Sequence, residues 1–371
     1  MSKSHSVCLA LLLCLPALAW AQHDSSPTAA PARPEAAPAD QAPALNQRPA
    51  PAPPAGEGRI KLDVVVTDKS GKPVPGLNLK DFTLLDNNQP GKILSFQAFD
   101  GIAQKASPPV EVILLIDTVN LGFQPDAYTR VQITNFLLQN GGHLAAPTSI
   151  FLMTNDGVNA QRAPLTDGDA LAEELKQIDG RLRSIGRSAG AYGALERFQF
   201  SLKMLSAISD NEAKKPGRKL LIWAGPGWPM LMAPDFESSP KGQRQLFDSI
   251  VGLSTGLREN RIALYSVAEG MPDPGTFLYQ NFLKGVKTAE KAYAPNLTLK
   301  VLAIQSGGRV LSPSNDLTDE INSCVQDAGV FYTLSFDPPR ADKPNEYHDL
   351  QVQVDKPGLT ARTSTGYYNQ P

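Results

Sequence analysis

Residues 112–123 read VILLIDTVNLGF, and this stretch decides the fold. Residues 112–116 are all apolar, and the run ends at Asp117, after which polar residues appear. Such a run is typical of a parallel strand that helices cover on both faces, because neither face meets water. Ligands of open α/β sheets collect at the carboxyl ends of these strands. Asp117 is therefore a candidate metal ligand, or alternatively a turn and helix-capping residue.

Strand and helix patterns alternate in the region that follows. The segments TSIFLMT, GRKLLIWAG, RIALYSVA and GGRVLSP are expected strands, and PDAYTRVQITNFLLQN is one of several stretches whose apolar residues recur at helical spacing. Alternation of this kind implies right-handed crossovers. Residues 108–328 are thus predicted to form a doubly wound, mostly parallel sheet of the Rossmann-like class.

Strands of another kind flank this region. Residues 59–105 contain IKLDVVVT, FTLLD and KILSFQAF, and residues 329–371 contain VFYTLSFD, YHDLQVQVD and TARTSTGYY, all separated by turn-forming residues. Three strands do not easily make a stable core alone. We therefore expect the two groups to pack together as one small antiparallel, β-sandwich-like domain into which the α/β region is inserted.

The N-terminal residues predict export. Residues 1–21 combine a lysine, an apolar run and a small-x-small ending, as in a signal peptide cut after Ala21. A lipid anchor at Cys14 is disfavoured because Leu13 precedes it where a small residue is expected. Residues 22–58 are rich in Pro and Ala, as expected of a disordered, semi-extended linker. No later apolar run is long enough to span a bilayer. We predict a periplasmic, cell-surface or extracellular protein.

Charge and cysteine content narrow the possible functions. The formal net charge is −2, so the chain lacks the basic footprint of a nucleic-acid-binding protein. Removal of the signal peptide leaves Cys324 as the single cysteine, which excludes an intramolecular disulfide. Cys324 lies in a helical pattern and is expected to be packed, although an exposed thiol would permit a disulfide-linked dimer.

Several of these pieces, in their order and spacing, resemble the bacterial proteins related to von Willebrand factor type A domains. The matching segments are IKLDVVVTDKSGKPVPGLNLKDFTLLDN, VILLIDT, GRKLLIWAG, LAIQSGGRVL and VFYTLSFDPP to GYY, which together extend from about Arg59 to Tyr368. The resemblance implies a type A α/β fold, and a role in adhesion or in assembly of the cell envelope.

Type A domains are known for a metal-ion-dependent adhesion site whose first loop reads Asp-x-Ser-x-Ser. Here the loop begins at Asp117 and has Val119 and Leu121 at the two hydroxyl positions. The next family ligand is a threonine, for which this chain offers at best Ser188, and no acid follows LIWAGPGW in place of the last one. Because Mg²⁺ needs about six oxygen ligands, we predict no metal site. Metal-dependent adhesion through Asp117 and Ser188 remains the alternative.

Other chemistries have weaker sequence support. The pattern Gly-x-Ser-x-Gly occurs at residues 186–190 and 252–256, but neither copy follows a strand as a nucleophile elbow requires. A serine hydrolase using Ser188 or Ser254, with His348, is the alternative from another class. GPGWPM lacks the third glycine of a dinucleotide loop, and the histidines show no zinc spacing. We expect no enzyme activity and no cofactor.

The remaining unusual segment is LIWAGPGWPMLMAPDF, which lies at the same predicted end of the sheet as Asp117. Aromatic and methionine side chains are enriched at interface centres. Candidate partner-binding residues are Trp228, Met230, Leu231 and Met232. The other interpretation, that this segment packs on the fold, is slightly favoured because exposed apolar patches on monomers are limited in size. We predict an exported, non-enzymatic, metal-independent protein-interaction or adhesion module with an unidentified protein partner.

Overall fold

The computed structural model describes residues 58–100, 110–121, 123–160, 163–179, 190–231, 239–268, 277–312 and 314–371. All of them belong to one compact unit, Gln47–Pro371. The predicted signal peptide, nearly all of the predicted linker, Ser188 and Met232 lie outside the described residues. Within the described ranges, no helix is both long and apolar enough to cross a membrane.

The strands are β1 (Ile60–Thr67), β2 (Phe82–Asp86), β3 (Gln89–Gly91), β4 (Ser95–Phe99), β5 (Glu111–Asp117), β6 (His143–Thr154), β7 (Gly157–Ala160), β8 (Leu165–Asp167), β9 (Lys219–Ala224), β10 (Ile262–Val267), β11 (Phe331–Phe336), β12 (Glu346–Val354), β13 (Thr360–Arg362) and β14 (Gly366–Asn369). The α-helices are α1 (Phe123–Gly142), α2 (Gly168–Asp179), α3 (Gly190–Glu212), α4 (Pro240–Glu259), α5 (Leu299–Gln305) and α6 (Leu317–Gly329).

The fold is mixed α/β. Its central sheet has the order β10-β9-β5-β6-β7, and β8 also pairs with β6. The pairs among β5, β6, β9 and β10 are parallel, whereas β7 and β8 run antiparallel to β6. Every residue of β5 is buried, as its apolar run predicts. Helices cover both faces, since α3, α4 and α5 contribute to one apolar core and α1, α2 and α6 to the other.

One expected strand is reduced to a single bridge. In GGRVLSP, only Val310 makes a ladder contact, with Ser266 of β10. The backbone at Gly308 comes so close to the carbonyl of Leu264 that a β-carbon would collide with it. This close approach explains the glycine, and the short bridge covers part of the free edge of β10.

Two antiparallel sheets, ordered β13-β1-β11-β4 and β14-β12-β2-β3, combine strands from both ends of the described chain. Ile60 in β1 pairs with Phe336 in β11, and Leu84 in β2 pairs with Val352 in β12. A third apolar core, which includes Leu62 and Tyr332, receives side chains from both sheets. Each flanking segment forms four strands rather than the expected three. The residues QPG, expected to belong to a turn, pair with β2 as β3, and residues 363–365 divide TARTSTGYY into β13 and β14.

Candidate functional site

Asp117 lies at the carboxyl end of β5 and is fully buried. Burial raises the pKa of its carboxyl group, because the charged form loses its hydration, while hydrogen bonds from neighbouring groups oppose that shift. A buried carboxylate is stable only where donors replace the lost water. The donors around Asp117 therefore decide what this site can do.

Four N–H groups point at the carboxylate. Its Oδ1 accepts hydrogen bonds from the main-chain nitrogens of Val119 at 3.1 Å and Asn120 at 2.9 Å. Its Oδ2 accepts from Asn120 Nδ2 at 2.8 Å and from Trp223 Nε1 at 2.9 Å. Two oxygens with about four lone-pair sites thus meet four donors. The carboxylate is saturated by the protein itself.

Neighbouring side chains close the site. Asn120 Nδ2 also lies 3.1 Å from Ser201 Oγ on α3. At Gly225, where φ is 148°, an added β-carbon would lie 3.0 Å from Cβ of Asp117, so only glycine fits without displacement. Asp117 thus joins β5, its own loop, α3 and β9 into one hydrogen-bonded unit.

The arrangement does not fit a divalent cation. A cation needs oxygen lone pairs directed at it, but both oxygens of Asp117 accept from N–H donors. Val119 and Leu121, at the positions of the family hydroxyls, are buried apolar side chains. The described residues contain no group of three or more His, Cys, Asp or Glu that could hold a metal. Ser188, the second predicted ligand, falls outside the described ranges.

The predicted partner-binding residues differ in accessibility. Trp228 is buried, packs edge-on against Trp223 with ring centroids 5.3 Å apart, and donates its Nε1–H to the carbonyl of Leu297 at 2.9 Å. Leu231 is buried as well, and Met230 is partly exposed. A partner can therefore reach Met230 in this conformation, whereas Trp228 and Leu231 would first have to leave the core.

Large apolar side chains are exposed at four positions that the sequence analysis did not single out. Tyr192 is 64% exposed, Phe277 55%, Leu278 44% and Tyr293 43%. We call these four residues, with Met230, the apex patch. The only sequence signal was the presence of aromatic residues in irregular segments, which does not distinguish an exposed ring from a buried one.

Chain direction places the start of α3, beside Tyr192, at the carboxyl end of the parallel strands. Helix α3 begins beside Tyr192 and leads down to the start of β9. The Leu278–Phe282 turn packs on the segment before α5, since Asn296 Nδ2 donates to the carbonyl of Phe282. That segment also accepts the hydrogen bond from Trp228, which follows β9.

Ser254 does not lie in a nucleophile elbow, and Ser188, the other hydrolase candidate, falls outside the described residues. Ser254 lies inside the continuous helix α4, without the strand and sharp turn that the motif requires. His348 is in β12, where its Nδ1 lies 2.7 Å from Asp86 Oδ1 and its ring stacks on Tyr367. Cys324 is buried in α6, and burial raises its thiol pKa to about 12, so the thiol is not available for an intermolecular disulfide.

Comparisons with known proteins give little further information. No protein-family model matches the chain, and no curated protein matches it. The solved structures that it resembles include human COPII-coat protein Sec24c, with 9% identity and a TM-score of 0.34 over 71% of this chain and 43% of that one. They also include the pilus adhesin SpaC from Lactobacillus rhamnosus GG, with 11% identity and a TM-score of 0.34 over 79% and 48% of the two chains. The chain thus covers less than half of either protein, and with TM-scores below 0.5 we base no argument on these likenesses.

Proposed function

We propose that this chain is an exported, non-enzymatic protein-binding module of the von Willebrand factor A-like kind, which binds its partner through the apex patch without a metal ion. The observation that carries the proposal is the exposure of the large apolar side chains of Tyr192, Phe277, Leu278 and Tyr293. The sequence of residues 1–21 supports export, and the Pro/Ala-rich linker would hold the folded module away from whatever lies at the N-terminus of the mature chain.

Exposed large apolar side chains favour a binding role. Grouped apolar side chains are uncommon on monomeric proteins and mark interaction sites. Tyrosine and phenylalanine are enriched at interface centres because they bury a large area with few rotatable bonds. Trp228 and Leu231, which flank the partly exposed Met230 in the chain, are buried.

Metal independence follows from the donor set of Asp117. A cation at this position would have to displace Asn120 and Trp223 from the carboxylate. The energetic cost of leaving those buried N–H groups without acceptors opposes binding. In this proposal Asp117 has the structural role of fixing the loop between β5 and α1.

Site-specific photo-crosslinking tests the proposal. We would place p-benzoylphenylalanine at Phe277 in the full-length chain, expressed with its own leader in a Gram-negative host. The matched control is the same substitution at Val131 on α1, because both side chains are 55% exposed. Irradiation should crosslink Phe277, but not Val131, to a discrete protein, and EDTA should leave the yield unchanged.

Two results would contradict the proposal. Equal crosslinking from positions 277 and 131 would mean that the apex patch is an ordinary surface. Loss of the Phe277 crosslink in EDTA, with recovery in Mn²⁺, would restore metal-dependent adhesion.

The triple substitution of Tyr192, Phe277 and Tyr293 by Ser should abolish the specific crosslink from a probe at Met230 while leaving the melting temperature unchanged.

A further inference from the structure

The edge strand β4 is the longest described strand that pairs on one side only. It pairs with β11 along its whole length, from Ser95 opposite Ser335 to Phe99 opposite Phe331. Within the described ranges, no strand pairs with its other edge. An edge of this kind presents main-chain N–H and C=O groups to which a strand of another chain can hydrogen-bond.

The sequence of β4 does not protect this edge. Natural sheets usually protect an edge strand with a charged side chain, a proline or a bulge. Residues 93–99 read ILSFQAF and contain no charged residue, proline or glycine. The side chains of Phe96 and Ala98 pack on the third apolar core, yet they are only partly buried. A strand added beside β4 would cover more of their apolar surface.

The other described strands at sheet edges are protected. The single bridge from Val310 covers part of β10, and β3 contains Pro90. β7 and β14 have four residues each, with three of those in β14 buried, and β8 and β13 have three residues each. Proline and short length are devices by which natural edge strands avoid pairing with other chains, and β4 has neither of them.

The residues that flank β4 carry opposite charges. Lys92 lies four residues before Phe96, and Asp100 lies four residues after it. In an antiparallel pair of β4 strands with a two-fold axis at Phe96, Lys92 of each copy faces Asp100 of the other. This register opposes Phe96 to itself and places the exposed Ser95 opposite the exposed Gln97. Cross-strand aromatic pairs and opposite charges stabilise sheets, so the edge is complementary to itself.

We propose that the mature chain forms a two-fold symmetric dimer through antiparallel pairing of β4 with β4 of a second copy. The two β13-β1-β11-β4 sheets then join into one continuous sheet of eight strands. A second copy fits this edge better than the linker of residues 22–58, because prolines recur throughout that linker and proline cannot donate to a strand ladder. The proposal does not depend on the function of the apex patch.

Analytical ultracentrifugation of the purified mature chain tests the proposal. We expect a monomer–dimer equilibrium in which the dimer dominates at about 100 μM. Gln97→Lys brings like charges close together across the two-fold axis and should raise the dissociation constant at least about tenfold. Gln351→Lys makes the same change at an exposed residue of the interior strand β12, and should leave the equilibrium unchanged. Melting temperatures confirm that both variants are folded.

Disulfide trapping tests the register. Residues directly opposite in antiparallel strands have their Cα atoms about 4.5–5.5 Å apart, within the range of a disulfide. Oxidation of a mixture of Ser95→Cys and Gln97→Cys proteins should therefore give a linked dimer with one copy of each, identified by mass spectrometry. Cys324 is buried and does not compete. A mixture of Ser95→Cys and Gln351→Cys is the matched control and should give no such dimer.

Three outcomes would overturn the proposal. A natural protein that remains monomeric at about 100 μM would do so directly. Equal weakening of the dimer by Gln97→Lys and Gln351→Lys would place the interface away from β4. Equal disulfide yields from the two cysteine mixtures would exclude the antiparallel register. None of these outcomes affects the crosslink from Phe277, so this proposal and the proposed function fail independently.

Discussion

Asp117 and Arg218 are buried charges at opposite ends of the parallel strands, and the two regions satisfy them in different ways. Asp117 accepts four hydrogen bonds from N–H groups of the fold. Arg218 lines a cleft, keeps an unpartnered Nε and has no carboxylate partner within the described ranges. A saturated buried charge serves the fold, whereas an unsaturated one keeps unused hydrogen-bonding capacity. The family resemblance makes Asp117 the expected ligand-binding position, yet its hydrogen bonds are more completely satisfied by the protein than those of Arg218.

The largest expected effect is on stability when Asp117 is removed. Asp117→Ala leaves the buried N–H groups of Asn120, Val119 and Trp223 without an acceptor, and should lower the free energy of unfolding by about 4 kcal/mol. Urea unfolding followed by circular dichroism measures this change. Asp156→Ala, at an exposed carboxylate in the β6–β7 turn, is the control and should change stability by less than about 0.5 kcal/mol. Similar values for both variants would mean that Asp117 is not the centre of a hydrogen-bonded unit.

Trp223→Phe tests a single donor of the same unit. The ring remains apolar, but the 2.9 Å hydrogen bond from Nε1 to Asp117 Oδ2 is lost. Hydrogen bonds to charged groups contribute about 1.5–3 kcal/mol, so we expect a loss of about 2 kcal/mol in the same unfolding measurement. In the double variant with Asp117→Ala the two losses should be less than additive, because each removes the same bond. Strict additivity would contradict the bond's role.

Glu320 provides a second buried carboxylate near the carboxyl end of the sheet, with a different pH dependence. Burial raises its pKa from 4.5 to about 7, against weaker opposing hydrogen bonds from Ser314 and the Ala268 amide. Since the folded pKa is the higher one, the stability contributed by this group is complete below about pH 4.5 and is lost as pH rises through about 7. Glu320→Gln should therefore stabilise the protein by about 1–2 kcal/mol at pH 8, after allowance for solvent screening, and have no such effect at pH 4.

Thermal unfolding across pH measures the effect at Glu320. The natural protein and Glu320→Gln should show converging melting temperatures at acidic pH and diverging ones above neutrality. Asp319→Asn, on the exposed side of the same helical turn, is the control for the charge change. A constant difference between Glu320→Gln and the natural protein at all pH values would show that the carboxyl group does not titrate in this range.

The smallest expected effect on stability is at Arg218. Arg218→Met removes a buried cation that lacks a carboxylate partner and preserves an apolar side chain against Phe331. Replacement of an incompletely compensated buried charge by a packed apolar group is often neutral or stabilising, so we expect stability to change by less than about 1 kcal/mol. Arg362→Met, which deprives the Asp327 carboxylate of its 2.8 Å partner, should in contrast be clearly destabilising. Equal destabilisation by Arg218→Met and Arg362→Met would mean that Arg218 is as fully compensated in the folded protein as Arg362.

The sequence predicted secondary structure correctly where the pattern of apolar residues lies within a single segment. The apolar run before Asp117 correctly indicated a fully buried strand, and helix-spaced segments such as 190–212 form helices. The antiparallel placement of β7 and β8 was not expected, because a short polar segment does not specify its direction in a sheet. The GGRVLSP pattern resembled a strand, but the close approach of Gly308 to β10 limits its described residues to one bridge.

The sites depended on long-range contacts that the sequence does not contain. Val119 and Leu121 indicated that hydroxyl ligands are missing beside Asp117, but the donor from Trp223 required the register of β5 on β9. Trp228 is buried because it reaches Leu297 across the chain, which composition alone does not reveal. The residues that surround Arg218 come from β1, α4 and β10, and no linear motif joins these segments.

The central claim is that N–H donors of the protein, rather than a cation, occupy both carboxylate oxygens of Asp117. Titration of Mn²⁺ into the purified mature protein tests this claim most directly. Binding would be followed by calorimetry and by quenching of tryptophan fluorescence, since Trp223 contacts the carboxylate. The account predicts no saturable heat and no quenching beyond that of a folded Asp117→Asn variant at millimolar Mn²⁺. One-to-one binding that quenches the natural protein and is lost in Asp117→Asn would contradict it.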